Sequence, residues 1–174
     1  DAADENGDMT VDFGFVPVSD LSIGSTVFAD VNDDGMQDST EAGIPGVVVE
    51  LVDDATGLVI ATDTTDANGD YFFDDLTEGD YIVQIPMPDD SYPASSTPTD
   101  TADNGVDGND NGDQPGGEGT IVQSPVINLT AGEEPTGADE DGITGGDQDD
   151  AADENGDMTV DFGFVPVSDL SIGS

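Results

Sequence analysis

Asp30, Asn32, Asp34, Gly35, Met36, Asp38 and Glu41 lie in one unbroken twelve-residue run, DVNDDGMQDSTE. Their spacing is that of the calcium loop D-x-[DN]-x-[DN]-G-x5-E. Ca²⁺ is a hard ion that takes six to eight oxygen ligands at about 2.3–2.6 Å. Asp30, Asn32 and Asp34 carry side-chain oxygens, Gly35 permits a sharp turn, and Met36 offers its main-chain carbonyl. Asp38 sits where a ligand acts through water, and Glu41 sits at the closing bidentate position. The alternative is an acidic turn, since Asp, Asn and Gly are common in turns. The number of matching positions favours a cation. The flanking segments, Ser25–Ala29 and Gly46–Leu51, have strand and not helix character, so only the loop is shared with helix–loop–helix calcium proteins.

Other acidic segments leave alternatives open. Asp66, Asn68, Gly69 and Asp70 precede Tyr71-Phe72-Phe73. Asn-Gly between two apolar runs is a strong β-hairpin signal, so a plain turn competes with a reading in which Asp66, Asn68 and Asp70 serve an ion. Two long stretches, Ser91–Gly119 and Ala131–Asp157, are rich in Asp, Gly, Asn, Pro and Thr. Loops of this length inside a compact domain are uncommon unless functional or disordered. Asp103, Asp107, Asp110 and Asp113 recur at three- or four-residue intervals in the first, and Asp147, Asp149, Asp153 and Asp157 recur similarly in the second. Further Ca²⁺ sites, giving several ions per repeat, stand against solvated acidic linkers.

The charge of the whole chain points the same way. It contains 42 Asp and Glu residues and no Lys, Arg, His or Cys, for a formal net charge of −42. Two carboxylates about 7 Å apart repel by roughly 0.6 kcal/mol even in water, so clustered acids oppose the compact state. Bound metal ions or a high-salt medium must offset this, and a halophile's acidic surface is the competing explanation. Nucleic acid and anionic membranes require basic residues and are excluded as partners. Catalysis by His, Cys or Lys is excluded too. Two-carboxylate hydrolysis is formally open, but the acids lie mainly in turns, so the chain is read as no enzyme. No apolar run is long enough for a membrane span.

These loops need a framework, and the apolar residues, 34% of the chain, supply it. They gather in short alternating runs separated by Gly, Asp, Asn and Pro, the pattern of an all-β domain. Strands are expected near Ser22–Ala29, Gly46–Asp53, Leu58–Asp63, Gly69–Asp74, Tyr81–Pro86, Thr120–Leu129 and Met158–Val165. Val160, Phe162 and Phe164 share one face of the last, with Asp161 on the other, as in a half-buried antiparallel strand. Val47, Val49 and Leu51, and Tyr81, Val83 and Ile85, form similar faces. Seven short strands make an immunoglobulin-like Greek-key β-sandwich the expected fold.

Asp1–Ser25 is identical to Asp150–Ser174, an offset of 149 residues. The chain thus contains one period of a tandem repeat plus an overlap. With the frame taken from the strands, the complete module is 19–167. Residues 1–18 form the last strand region of the preceding repeat, and 168–174 open the next. The joint VPVSDLSIGS is short, so neighbouring copies should sit close and stiffly. In a bolder arrangement the strand Thr10–Phe15 of one copy completes its neighbour's sheet, interlocking the two.

The strings IGSTVFADVNDDGMQDSTEAGIPGVVVELVDDATG, TTDANGDYFFDDLTEGDYIVQIP, SPVINLTAGEEP and TVDFGFVP resemble the calcium-binding B-type repeats of serine-aspartate repeat surface adhesins. These are relatives of collagen-adhesin B-type domains. The resemblance covers about Ser22–Val165. It implies an immunoglobulin-like sandwich, secreted and repeated in tandem, rigid with calcium bound. It also implies Asp30, Asn32, Asp34, Met36 and Glu41 as ligands of one ion. Many collagen-adhesin B-type domains carry a Lys–Asn isopeptide bond, which a chain without Lys cannot form. The expected function is therefore a structural module of a giant secreted or cell-surface bacterial protein, a calcium-stiffened fibre or adhesin stalk. Its partners would be neighbouring copies and laterally associated fibres. The alternative is a module that itself binds a glycan or host protein. That requires an exposed aromatic cluster, and most of the seven Phe and three Tyr fall on core faces.

Overall fold

The apolar alternation resolves, in a computed structural model, into ten strands and no helix among the described residues, which are 21–97, 106–135 and 155–167. In chain order the strands are β1 (Leu21–Ala29), β2 (Val48–Asp53), β3 (Leu58–Thr64), β4 (Asp70–Leu76), β5 (Gly79–Ile85), β6 (Ala94–Ser95), β7 (Val122–Gln123), β8 (Ile127–Leu129), β9 (Gly156–Asp157) and β10 (Phe162–Val165). One sheet has the order β4-β1-β10-β6, with β9 also on β1. The other has the order β3-β2-β5-β7, with β8 also on β5. Consecutive strands repeatedly change sheet, and the result is an immunoglobulin-like β-sandwich. Ile23 and Val27 of β1, Val49 and Leu51 of β2, Tyr81, Val83 and Ile85 of β5, and Val160, Phe162 and Phe164 meet in one buried core. Tyr71 packs its ring against Phe73 and Phe162 and donates its hydroxyl to the Val160 carbonyl at 2.5 Å.

Several expectations change. β4 pairs antiparallel with β1, while β3 pairs with β2, so the Asp66–Asp70 turn links the two sheets and is not a hairpin. β10 runs parallel to β1 and antiparallel to β6, and Asp161, immediately before it, is 1% exposed. The strand is therefore covered on both faces, not half-buried. The Thr120–Leu129 run breaks at Ser124-Pro125. Pro125 has no N–H to donate, and the Ser124 hydroxyl takes the Val83 N–H at 3.0 Å instead. The stretch Ser91–Gly119 is in part structural. It contributes β6 and packs Asp110, Asn111 and Gly112 into the molecule. A Cβ on Gly112 would stand 2.6 Å from Val122 and 2.8 Å from Phe162, so no larger residue fits there without displacement.

The register sets the polarity of the module. Val27 faces Phe162 and Ala29 faces Phe164 in a parallel pair, so β1 begins at one pole and β10 ends at the other. Leu76 and Leu129 mark the N-terminal pole, through Leu21↔Leu76 and Gly79↔Leu129. The loop after Ala29, the Asp66–Asp70 turn and the segment after Ile85 mark the C-terminal pole. The sequence equivalent of Thr10–Phe15, Thr159–Phe164, contributes β10 to the same period's sheet. Residues 1–18 and 168–174, with their expected neighbouring-repeat assignments, lie outside the described residues, as does Thr10–Phe15 itself.

Candidate cation-binding loop

The loop from Asp30 to Glu41 is pinned at both ends to the C-terminal pole. Ala29 N–H donates to the Ala42 carbonyl and Asp30 N–H to the Phe164 carbonyl, each at 2.9 Å. Asp30 is fully buried. Its Oδ1 accepts the N–H groups of Asp33 (2.6 Å) and Asp34 (3.3 Å), and its Oδ2 accepts that of Gly35 (2.8 Å). This tight wrap requires left-handed backbone at Asp33 (φ 55°) and Gly35 (φ 73°), a conformation that Gly tolerates and Asp adopts more readily than most residues. Glu41 closes the loop, taking Val31 N–H on Oε1 at 2.7 Å and Asp38 N–H on Oε2 at 3.0 Å.

Three side chains already meet inside this frame. Asn32 Nδ2 donates to Asp34 Oδ2 at 3.0 Å and to Asp38 Oδ2 at 3.2 Å. The donor set is entirely oxygen apart from that amide nitrogen, which suits a hard divalent cation. Among the described residues, however, no three acidic side chains are grouped as a metal site as they stand. The set fits a cation if the Asn32 amide turns its oxygen inward and Asp30 and Glu41 each share an oxygen between the loop's N–H groups and the ion. The Met36 side chain is exposed.

The loop rests on the first long acidic stretch. Gln37 N–H donates to the Gly108 carbonyl (2.7 Å) and Asp110 N–H to the Gly35 carbonyl (2.9 Å). Asp33 Oδ1 accepts Thr97 N–H at 2.7 Å and its hydroxyl at 3.0 Å.

The remaining expected ligands do not gather at one point. Asp66 Oδ1 caps its own turn through Asn68 N–H (2.7 Å) and Asp70 N–H (3.1 Å), and Asp70 Oδ1 accepts the buried Thr26 hydroxyl at 3.0 Å. Asp110 Oδ1 accepts the N–H groups of Gly112 (2.9 Å) and Gly163 (3.0 Å), tying the long stretch to β10. Asp113 is exposed and bridges by main chain to Gln123. Asp157 caps Thr159 through its N–H (3.0 Å) and hydroxyl (2.7 Å). Asp103, Asp147, Asp149 and Asp153 lie outside the described residues.

Asp161 is the acidic residue that strand alternation placed on an outer face and that the structure buries. Its Oδ1 accepts the Ser25 hydroxyl (2.6 Å) and Thr26 N–H (3.1 Å), and its Oδ2 accepts Gly108 N–H (2.7 Å). Burial pushes its carboxyl well above the usual carboxylate range, and the charge of nearby Asp107 adds to this, against the opposing pull of those hydrogen bonds. Burial likewise raises the Tyr71 hydroxyl well above its ordinary value, with Asp161 and Asp157 contributing. One signal for this cover was available: Ser22, Gly24 and Thr26 leave a shallow outer face on β1, the kind of surface on which another segment can lie closely.

The sequence profile of the SdrD B-like domain matches residues 21–134, from the first strand through the turn after β8. The chain belongs to this family. The match contains the whole Asp30–Glu41 loop and the segment that buttresses it. Among similar proteins, serine-aspartate repeat-containing protein I of Staphylococcus saprophyticus is 52% identical over 81 residues, 47% of this chain and 4% of that protein. A fibrinogen-binding protein of Staphylococcus epidermidis is 45% identical over 96 residues, 55% of this chain and 8% of the relative. A bone sialoprotein-binding protein of Staphylococcus aureus (strain MRSA252) is 46% identical over 92 residues, 53% of this chain and 8% of the relative. The SdrD B-like chain thus spans less than a tenth of each of these relatives' length. Their names describe serine-aspartate repeat or binding proteins, and none describes an enzyme.

Proposed function

We propose that this SdrD B-like chain is a structural repeat of an extracellular, cell-surface bacterial protein, a spacer whose stiffness depends on Ca²⁺ held by the Asp30–Glu41 loop. The observation that carries this reading is the polarity of the module. The chain enters at one pole and leaves at the other, and its sequence begins again 149 residues later, so successive copies extend in line. The cation loop is at the C-terminal pole, where one copy meets the next. A ligand that binds the folded loop and not the unfolded chain stabilises by RT ln(1 + [L]/Kd). Extracellular calcium modules have Kd near 10⁻⁴–10⁻³ M, a range that calcium outside cells fills and cytosolic calcium does not. Asp30, Asn32, Asp34, Asp38 and Glu41 would hold the ion with the Met36 carbonyl, and the bound charge would offset the local repulsion.

Binding of fibrinogen or bone sialoprotein belongs by name to the much longer relatives. Among the described residues the large aromatic side chains are mostly buried, which favours the spacer over a ligand-binding module. Calorimetric titration of the 174-residue chain with calcium tests the loop assignment. Asp34→Ala and Glu41→Ala should each lower the stoichiometry by one ion. An unchanged stoichiometry in both variants refutes the assignment.

A further inference from the structure

The C-terminal pole carries an open groove of 670 Å³ lined by Ile44, Pro45, Val47, Val48, Met87 and Tyr92, among others. Met87 is 79% exposed and Val48 45% exposed. Met87 and Val48 stand open to water beside Pro45, Pro86 and Pro88 in one groove, and contiguous apolar patches commonly mark contact sites. Val167, the last described residue, donates its N–H to the Ser91 carbonyl at 2.9 Å. The chain therefore leaves the module beside Asp89, Asp90 and Tyr92, on the rim of this groove. Only Ser168 and Asp169 separate Val167 from Leu170, the sequence equivalent of Leu21 at the start of β1. At most about 3.3–3.6 Å per residue, that joint cannot carry the next copy far from the groove.

We propose that this groove is the seat for the N-terminal pole of the following repeat in the same chain. In the described repeat the start of β1 is ringed by short connections, with Ser22 N–H donating to the Asn155 carbonyl at 3.1 Å and Gly132 N–H to Asn155 Oδ1 at 3.2 Å, and an identical following copy would present the same pole. The β4–β5 connection at Thr77–Glu78 and the turn at Ala131–Gly132, joined by Ala131 N–H donating to Glu78 Oε1 at 3.4 Å, are the surface brought against Met87 and Val48. Apolar contact in the groove fixes the angle between repeats. The neighbouring Asp89 and Asp90 form its polar rim, as in other interfaces with an apolar centre. This inference rests on the tandem-spacer reading, and it adds a defined contact to it.

The test uses a chain of two consecutive periods. Because the sequence has no cysteine, Ala55→Cys in both repeats, an exposed position, provides two spin-label sites. In calcium, the unsubstituted chain should give one narrow inter-label distance peak. Met87→Gln with Val48→Thr in the first repeat should broaden or lose that peak, while melting of the single-repeat chain with the same substitutions stays unchanged. A narrow peak that survives the substitutions overturns the proposal. Concentration-dependent dimerisation of the single-repeat chain, abolished by the substitutions while the two-repeat peak stays narrow, also overturns it by assigning the groove to a separate chain. Chelator separates the two readings. If chelator leaves peak width and melting unchanged in the unsubstituted chain, calcium stiffening fails whatever the groove does. If only the groove variant matches its parent in calcium, the docking contact alone fails.

Discussion

Asp30→Ala is the most informative single substitution, because this carboxylate has two separable tasks. In the absence of metal it accepts three main-chain N–H groups. Hydrogen bonds to a charged group contribute about 1.5–3 kcal/mol each, but the three are not equal. The contacts to Asp33 and Asp34 are partly exposed, so water can replace the carboxylate there, whereas the Gly35 N–H is buried and would lose its partner. The expected loss is therefore about 2–4 kcal/mol. Removing one negative charge from the cluster with Asp33, Asp34 and Asp38 returns about 1 kcal/mol. A net loss near 2 kcal/mol corresponds to a fall in Tm of roughly 4–8 °C for a domain of this size. Thermal melts of the 174-residue chain in chelator measure that term. The second task appears on adding calcium. At 10 to 100 times Kd, one bound ion stabilises the parent by about 1.4–2.7 kcal/mol, and Asp30→Ala should lose this increment. An unchanged Tm in chelator would refute the hydrogen-bonding role. A calcium increment equal to the parent's would refute the role as ligand.

Other substitutions probe the framework. Gly112→Ala should destabilise by about 1–3 kcal/mol, because its Cβ would stand within 2.8 Å of Val122 and Phe162. Wild-type stability in urea would show that the segment does not pack there. Tyr71→Phe leaves the buried Val160 carbonyl without this donor and should cost about 1–3 kcal/mol by the same measurement. Asp161 gives a pH dependence in chelator. Its raised folded pKa means that the folded state binds more protons than the unfolded state between the ordinary value of 3.8 and the folded one. Stability should therefore rise as pH falls through the folded value and finish rising below the unfolded value. Relief of repulsion among the other acids acts in the same direction, so the comparison is with Asp161→Asn. Its stability should depend less steeply on pH as pH falls toward the ordinary value of 3.8, and an equal slope would refute the assignment.

The fold was legible where one side of a strand meets the core. Val49 and Leu51, Tyr81, Val83 and Ile85, and Phe162 and Phe164 alternate in sequence and pack as that alternation requires. Pairing was less legible, because period 2 says which face is buried and not which neighbour a strand takes. Asn68-Gly69 therefore read as a hairpin turn, although it carries the chain from one sheet to the other. The strands β6 and β9 have two residues each, too short to show a period. The twelve-position loop was legible because its local spacing also determines its local hydrogen bonding. Asp30 capping three N–H groups and Glu41 spanning the loop follow from positions in one short segment. Asp161 was not legible, because its burial depends on Gly108, more than fifty residues away in sequence. Its short-range signal was only the small outer residues of β1.

Small-angle X-ray scattering of a purified array of several repeats, recorded in about 1 mM calcium and again in excess chelator, tests the central claim most directly. A calcium-stiffened spacer should scatter as a rod whose length grows in proportion to repeat number, and should become flexible and swollen on chelation. Identical scattering in the two conditions would contradict the account and leave the acidic loops as solvated surface.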